Sequence, residues 1–456
     1  MGLGLGSDIR LAERAGDVFE DIVRSGSLVV RRFSARRADE IGAHRLLDSP
    51  KVTPDGILAP FCARTAEACR GRRIVAAQDT TEINFSGADR SRRGLGLAGD
   101  GKSLGFFIHP VIAIDADDEA VLGIAGAKIW TRGMAKAKNH ATRPLHEKES
   151  LCWLEGVGIA ASVLETAASI TVVGDRECDI FEVFAAERPA NVQLLVRARS
   201  DRRLAGGGKL YASGDGFAQA GEMLVKVAPK GPGDRGRTAR VAVSFGRVDL
   251  ARPANLLADT ANMASGKVPA SLELSLVIAR EINAPAGKEP LQWRLLTTAA
   301  VESFEDAVET IRFYRLRWRI EEVFRTLKKD GLALEQSQIE TAPRLFNLAA
   351  LGLAAAVRII QLVDARDGGP RPATDVIDAA QIEPVAMIGA SLEGKTERQK
   401  NPHPKASLAW MAWIAARLGG WHCYYKPPGP KTMADGWKRL ATMLEAVKII
   451  QTTQHV

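Results

Sequence analysis

Ile74-Val-Ala-Ala-Gln-Asp-Thr-Thr81 is a short apolar run that ends on a carboxylate and two hydroxyl groups. Four to eight apolar residues with polar residues after them are typical of a buried strand. A second run of this kind, Ile170-Thr-Val-Val173, is followed by Gly174 and Asp175. We therefore expect two buried strands, each with an aspartate at its carboxyl end.

The segments around these two strands predict an ordered series of elements. Apolar runs favour strands over 106–114 and 121–130, joined by a turn, and a further strand over 192–196. Helical spacing lies between the later strands, over about 147–168 and 179–186. The predicted order is three strands, helix, strand, helix, strand, which indicates a mixed α/β domain.

The pattern changes after Arg197, where glycine-rich turn clusters alternate with strand-like runs. Leu291–Thr297 closes this segment, so we expect a β-rich insertion over about 200–298. Ser303-Phe-Glu-Asp306 has the spacing of a capping box and predicts the start of a long helix reaching about Asp330. Residues 1–70 and 340–456 have mainly helical patterns.

Composition and charge limit the class of protein. The chain has 456 residues, of which 46% are hydrophobic and 25% charged, as in ordinary globular proteins. Lysine and arginine number 62 against 54 acidic residues, and the net charge of +8 favours a polyanionic partner. The longest apolar run, Leu348–Val357, is too short for a membrane span.

Two further features concern the compartment. The N-terminal residues lack the basic region and apolar core of a secretory signal, so we expect a cytoplasmic protein. Five scattered cysteines without C-x-x-C spacing predict reduced thiols instead of a disulfide framework or a zinc site.

The predicted long helix separates its side chains by face. At 100° per residue, six apolar residues share one face: Phe313, Leu316, Ile320, Val323, Phe324 and Leu327. Four polar residues fall in a wedge about 60° wide beside that face: Tyr314, Arg317, Glu321 and Lys328. Seven basic and two acidic residues lie between Arg312 and Lys329.

Glu321 has two interpretations. On a solvated helix face it would pair with a basic residue one turn away. Alternatively it acts with Asp79 and Asp175, because hard cations such as Mg²⁺ prefer a few carboxylate oxygens and substrate phosphates. Two such ions about 3.5 to 4 Å apart can support phosphoryl transfer.

Three motifs, in this order, resemble the signature of DDE transposases of bacterial cut-and-paste insertion sequences. They are Gln78–Thr81, Gly174–Asp179 and Tyr314-x2-Arg317-x3-Glu321-x6-Lys328. The third resembles the Y-R-E-K motif of that group. The resemblance extends from about Ile41 to Lys448 and includes the insertion.

The resemblance implies a fold and a domain arrangement. The fold is a ribonuclease-H-like mixed sheet with helices on both faces, interrupted by the β-rich insertion. The implied domains are a short, basic, helical DNA-binding region over 1–70, a catalytic domain over 71–330 and a helical dimerisation region over 340–456. In the last region, Trp410 and Trp413 suit helix packing between subunits.

The resemblance also implies roles for particular residues. Asp79, Asp175 and Glu321 would form the metal-binding catalytic triad for Mg²⁺, with Mn²⁺ able to substitute. Tyr314, Arg317 and Lys328 would hold phosphates of the transposon end. Trp293 would stack on a base flipped out of a hairpin intermediate, and Arg197 matches a basic position of the family. From the residues alone, Trp293 also fits a core position and Arg197 an ordinary edge-strand charge.

The implied partners are double-stranded DNA, both terminal inverted repeats and target DNA, and a second copy of the chain on that DNA, without a membrane. The implied activity is cleavage at transposon ends and joining to target DNA in the nucleoid. The alternative is a DNA-binding or dimerising regulator that does not transpose. About forty residues precede Ile41, fewer than in the end-recognition domain of the family, and this favours the alternative.

Overall fold

The computed structural model describes residues 9–85, 92–133, 148–227, 236–254, 256, 268–328, 332–424 and 426–453. It divides the chain into two compact units. Unit 1 comprises Met1–Arg70, Thr80–Lys136 and Arg319–Val456, and unit 2 comprises Gly71–Asp79 and Ala137–Trp318. The expectation for residues 1–8 and the predicted helix end near Asp330 lie outside the described residues.

The strands of the described chain are β1 Arg73–Gln78, β2 Thr81–Phe85, β3 Gly96–Leu97, β4 Leu104–Asp115, β5 Val121–Trp130, β6 Ser169–Gly174, β7 Val192–Arg197, β8 Gln219–Val227, β9 Arg237–Ala251, β10 Ser271–Glu281 and β11 Gln292–Thr297. The α-helices are α1 Ile9–Ser25, α2 Val30–Phe33, α3 Arg37–Asp48, α4 Pro54–Cys69, α5 Leu151–Val163, α6 Phe181–Ala185, α7 Leu210–Asp215, α8 Phe304–Leu316, α9 Trp318–Lys328, α10 Ala342–Ala365, α11 Ile382–Leu392, α12 Leu408–Leu418 and α13 Pro430–Thr453.

Unit 2 contains a mixed sheet with the strand order β1-β6-β7-β11-β10-β9-β8. β1, β6 and β7 are parallel neighbours, and the remaining pairs are antiparallel. α5 and α8 both pack against β1 and β6. The structure therefore confirms the mixed α/β class, with helices packed on a mixed sheet, and the β-rich character of the insertion.

Side-chain burial explains why the parallel strands are continuous apolar runs. The five residues Ile74–Gln78 of β1 are all buried, as is typical of a parallel strand whose two faces are both covered. In the insertion, β9 is long and alternates buried and exposed positions over much of its length. That alternation is typical of a sheet with one solvated face.

Unit 1 contains the hairpin β4–β5, and β2 and β3 also pair with β4. The turn between the hairpin strands is tightened by Asp115, whose Oδ1 accepts a hydrogen bond of 2.8 Å from the Asp117 amide. This confirms the predicted hairpin. β2 was not expected, because the polar residues Asp79 and Thr80 just before it resemble the end of a strand.

The helix predicted as continuous from Phe304 is interrupted at Arg317, which separates α8 from α9. The start is as predicted, since Ser303 Oγ accepts a hydrogen bond of 3.1 Å from the Asp306 amide in a capping box. The six apolar residues of the predicted buried face are all buried. The prediction was therefore right for the face and wrong for continuity.

α10 and α12 form much of the core of unit 1. An 18-residue window of α10 has mean hydropathy 1.8, enough for a membrane span by length and composition, but 94% of it is buried, as in the core helix of a soluble protein. On α12, Trp410 and Trp413 are buried among elements of the same unit. The prediction that these tryptophans pack between subunits is therefore wrong, because their surfaces are already covered within the chain.

Two arginines near the N-terminus pair with acidic neighbours, and the cysteines are free thiols. Arg24 pairs with Asp21 and Glu445, and Arg36 pairs with Asp39 at 3.2 Å. This pairing with acidic neighbours is typical of a solvated helix face. All five cysteines are thiols, three of them buried.

Candidate active site

Two predicted site residues, Asp79 and Asp175, lie at the same edge of the unit 2 sheet. The last registered pair of the parallel strands β1 and β6 is Ala77 opposite Val173. Each aspartate follows its strand at the same offset, two residues beyond that pair. Since neighbouring strands are about 4.8 Å apart, the two carboxylates belong to one small region.

The turn after β6 fixes the position of Asp175. Its Oδ1 accepts a hydrogen bond of 2.7 Å from the Glu177 amide, at the start of a single 3₁₀ turn, Arg176–Cys178. A Cβ added to Gly174 would lie 2.5 Å from Cys178 Cβ and 2.7 Å from its Sγ. Only glycine allows the turn to fold back so closely, which explains why a glycine precedes Asp175.

Burial raises the pKa of the Cys178 thiol, and the neighbouring aspartates, Asp175 and Asp79 among them, raise it further. Gln78 Nε2 lies 3.9 Å from its Sγ. Cys178 is therefore a neutral packing group beneath the two strand ends and not a nucleophile.

Arg317 forms an ion pair with the first aspartate. Its Nη1 donates to Asp79 Oδ2 at 2.5 Å, and the side chains are only 8% and 17% exposed. The guanidinium also lies 5.3 Å from the ring of Trp318, which is 52% exposed. The resemblance assigns Arg317 to a phosphate, whereas this structure places it on a predicted metal ligand.

Tyr314, Arg197 and Trp293 form a connected group in the same unit. Tyr314 is 3% exposed, and burial raises the pKa of its hydroxyl, which the nearby charge of Arg197 partly offsets. Burial lowers the pKa of Arg197, whose Nη2 donates to the Gln292 carbonyl at 3.0 Å. Arg197 is thus anchored to the backbone at the start of β11 and lies on a strand with neighbours on both sides.

Trp293 contacts Tyr314 with its ring edge, at 5.5 Å between centroids and 67° between planes. It is 8% exposed on β11, opposite Ala279 of β10. These contacts agree with the core interpretation of Trp293. Stacking on a flipped base stays a prediction, and it requires Trp293 to become uncovered.

Residues 223–358 match the transposase DDE domain family. The matched stretch includes five of the predicted site residues, Trp293, Tyr314, Arg317, Glu321 and Lys328, and begins after Asp79, Asp175 and Arg197. Among solved structures, the chain is similar to a piggyBac transposase synaptic complex with hairpin DNA, at 9% identity and a TM-score of 0.41, over 95% of this chain and 72% of that one.

Glu321 and Lys328 lie on α9, in the part of that helix that belongs to unit 1, and both are half-buried. Both are predicted site residues within the matched stretch. The adjacent Glu322 has a separate role, accepting from Arg319 Nη1 at 2.5 Å. Across the described ranges, no group of three or more His, Cys, Asp or Glu side chains is gathered as a metal site. The triad with Glu321 thus stays a prediction.

The donors at the sheet edge suit a divalent cation. Asp79 and Asp175 offer carboxylate oxygens, the ligands that Mg²⁺ and Mn²⁺ prefer. Arg317 Nη1 contacts Asp79 Oδ2, so a cation that binds this oxygen has to compete with the guanidinium.

Sequence reasoning included Gly174 in a motif without a role of its own and gave no role to Trp318. Gly174 is marked only by its place between a strand and an aspartate. Trp318 is an aromatic residue next to Arg317 in the sequence, and its ring is half exposed instead of lying in the core.

Proposed function

We propose that this chain is a DNA transposase that cleaves DNA at the ends of its own element and joins them to target DNA. The observation that carries the proposal is the placement of Asp79 and Asp175 at neighbouring carboxyl ends of parallel strands, with Arg317 paired to Asp79. The match of residues 223–358 to the transposase DDE domain supports the same activity. We further propose that the chain belongs to the Y-R-E-K group and is related to the transposase of the composite kanamycin-resistance transposon.

In this proposal, Asp79, Asp175 and Glu321 bind Mg²⁺, with Mn²⁺ able to substitute. Two divalent ions supply an activated attacking oxygen and stabilise the leaving one in phosphoryl transfer. The three carboxylates would hold these ions beside the scissile phosphate. Tyr314, Arg317 and Lys328 hold neighbouring phosphates and so fix the angle of attack.

The partner in this proposal is double-stranded DNA, and the active form is a homodimer that holds two transposon ends. The net charge of +8 supports a polyanionic partner. A dimer is needed because one active site per chain serves one end at a time. Since α12 is covered within the chain, the interface of the proposed dimer has to use another surface. We further propose a hairpin intermediate, with Trp293 against an extruded base.

The test is cleavage of end-labelled DNA that carries the inverted repeats flanking the gene. Purified chain with Mg²⁺ is expected to nick at the repeat boundary, and Asp175→Ala to abolish nicking. Glu177→Ala, which removes an exposed carboxylate two residues further on, is the matched control and should cleave like wild type. Binding of the repeats without cleavage, in either Mg²⁺ or Mn²⁺, would instead favour the non-transposing regulator.

A further inference from the structure

The ion pair between Arg317 and Asp79 joins two groups that the proposed function assigns to different ligands. Asp79 is a proposed ligand of a divalent cation, and Arg317 a proposed ligand of a DNA phosphate. Yet Arg317 Nη1 lies 2.5 Å from Asp79 Oδ2, in a place where both side chains are largely buried. A cation at Asp79 Oδ2 and a phosphate at Arg317 Nη1 would therefore each compete with this ion pair.

We propose that this ion pair is a latch that couples metal binding to DNA binding. Arg317 neutralises Asp79 until a divalent cation takes the carboxylate, and the released guanidinium then binds a phosphodiester. The inference rests on the proposed function and adds an order of events to it. Arg317 is in this sense a positioning residue that controls access to the metal ligand.

Electrostatics gives the reason for the exchange. A divalent cation and a guanidinium at one carboxylate repel each other, and water screens this repulsion weakly because the pair is largely buried. A DNA phosphate offers the displaced guanidinium a charge-assisted hydrogen bond of the same kind. Binding of cation and DNA should therefore be cooperative in both directions.

The local structure gives Arg317 a second contact to keep during the exchange. It stands between α8 and α9, and its amide donates to the Tyr314 carbonyl at 3.2 Å. Its guanidinium lies over the half-exposed ring of Trp318. Cation–π attraction to this ring remains available when the carboxylate is taken.

The experiment measures Mn²⁺ binding to the full chain by the loss of the free-ion electron paramagnetic resonance signal, without DNA. Arg317→Gln removes the competing charge and is expected to bind Mn²⁺ about tenfold more tightly than wild type, which corresponds to ~1.4 kcal/mol. The matched control is Arg237→Gln, which breaks the buried pair of Arg237 with Glu281 in the same unit. It should leave Mn²⁺ affinity unchanged.

A short duplex carrying the inverted repeat gives the second arm. It should tighten Mn²⁺ binding by wild type and much less by Arg317→Gln. A folded Arg317→Gln with wild-type Mn²⁺ affinity would overturn the latch. If that variant does not fold, Arg317→Lys replaces it, because lysine makes a single-point pair and should tighten Mn²⁺ binding about threefold.

The two proposals fail differently. Cleavage by wild type together with unaltered Mn²⁺ affinity in Arg317→Gln removes the latch and keeps the transposase. Tighter Mn²⁺ binding by Arg317→Gln without any cleavage by wild type supports the latch and removes the transposase.

Discussion

Removal of Asp79 should cost the protein stability as well as activity, because Arg317 loses its partner. The guanidinium is 8% exposed and the carboxylate 17%, so solvent screens the pair little. Loss of one partner from a buried pair typically costs about 3 kcal/mol, since the other charge is left uncompensated. We expect Asp79→Ala to approach this value and Asp79→Ala/Arg317→Met to cost much less than the sum of the single changes.

The coupling energy from this double-mutant cycle should be about 1.5 to 3 kcal/mol, the range for hydrogen bonds to charged groups. It is measured by urea unfolding of the four proteins at pH 7, followed by tryptophan fluorescence, with equal m values as the control. Asp175→Ala, which loses the hydrogen bond from the Glu177 amide, should cost only about 1 kcal/mol. A coupling energy under about 0.5 kcal/mol would show a solvent-screened pair and refute the reasoning.

Three further predictions concern neighbouring residues. Gly174→Ala should lower the free energy of unfolding by about 1 to 3 kcal/mol and slow cleavage, because the new Cβ overlaps Cys178. The control is Gly158→Ala, where a Cβ meets nothing within 4 Å, and equal stability of the two variants would contradict the steric argument. Burial lowers the pKa of His109 to about 3, so the unfolded chain binds the proton first, and the free energy of unfolding should fall by about 2 kcal/mol from pH 7 to pH 5. Denaturant titrations should show that loss in wild type and not in His109→Gln, and the same loss in both proteins would contradict the prediction. Trp293→Ala should lower the melting temperature through its contact with Tyr314, and it should slow hairpin steps more than first nicking; equal loss of both steps would leave only the core role.

Local sequence was enough to predict the parallel strands and the residues at their carboxyl ends. Ile74–Ala77 is apolar on both faces because both faces of a parallel sheet are covered, and Ile170–Val173 follows the same pattern except at Thr171. The aspartates follow from it, since chain polarity alone puts both at one sheet edge.

Contacts between distant residues could not be predicted in the same way. Arg317 meets Asp79 across 238 positions of sequence, and helical periodicity carries no information about that partner. Nor could it reveal the interruption at Arg317, whose neighbours are all compatible with a helix. Likewise, the apolar face of α12 predicts packing but does not distinguish a neighbour in the same chain from a second subunit.

The tryptophans show the same limit in two directions. The alternating residues around Trp293 were compatible with both a core and a binding role, and the contact with Tyr314 from α8 favours the core. Trp318 follows Arg317 directly, yet only the fold shows that its ring is half exposed.

The most direct test of the proposed metal site is cleavage by the single variants Asp79→Cys, Asp175→Cys and Glu321→Cys in Mg²⁺ and in Mn²⁺. Thiolate is a poor ligand for hard Mg²⁺ and a better one for Mn²⁺. Each variant should be inactive in Mg²⁺ and regain cleavage in Mn²⁺, whereas Glu177→Cys and Glu322→Cys should cleave in both. Full cleavage in Mg²⁺ by any of the three cysteine variants would contradict the assignment of that residue as a metal ligand.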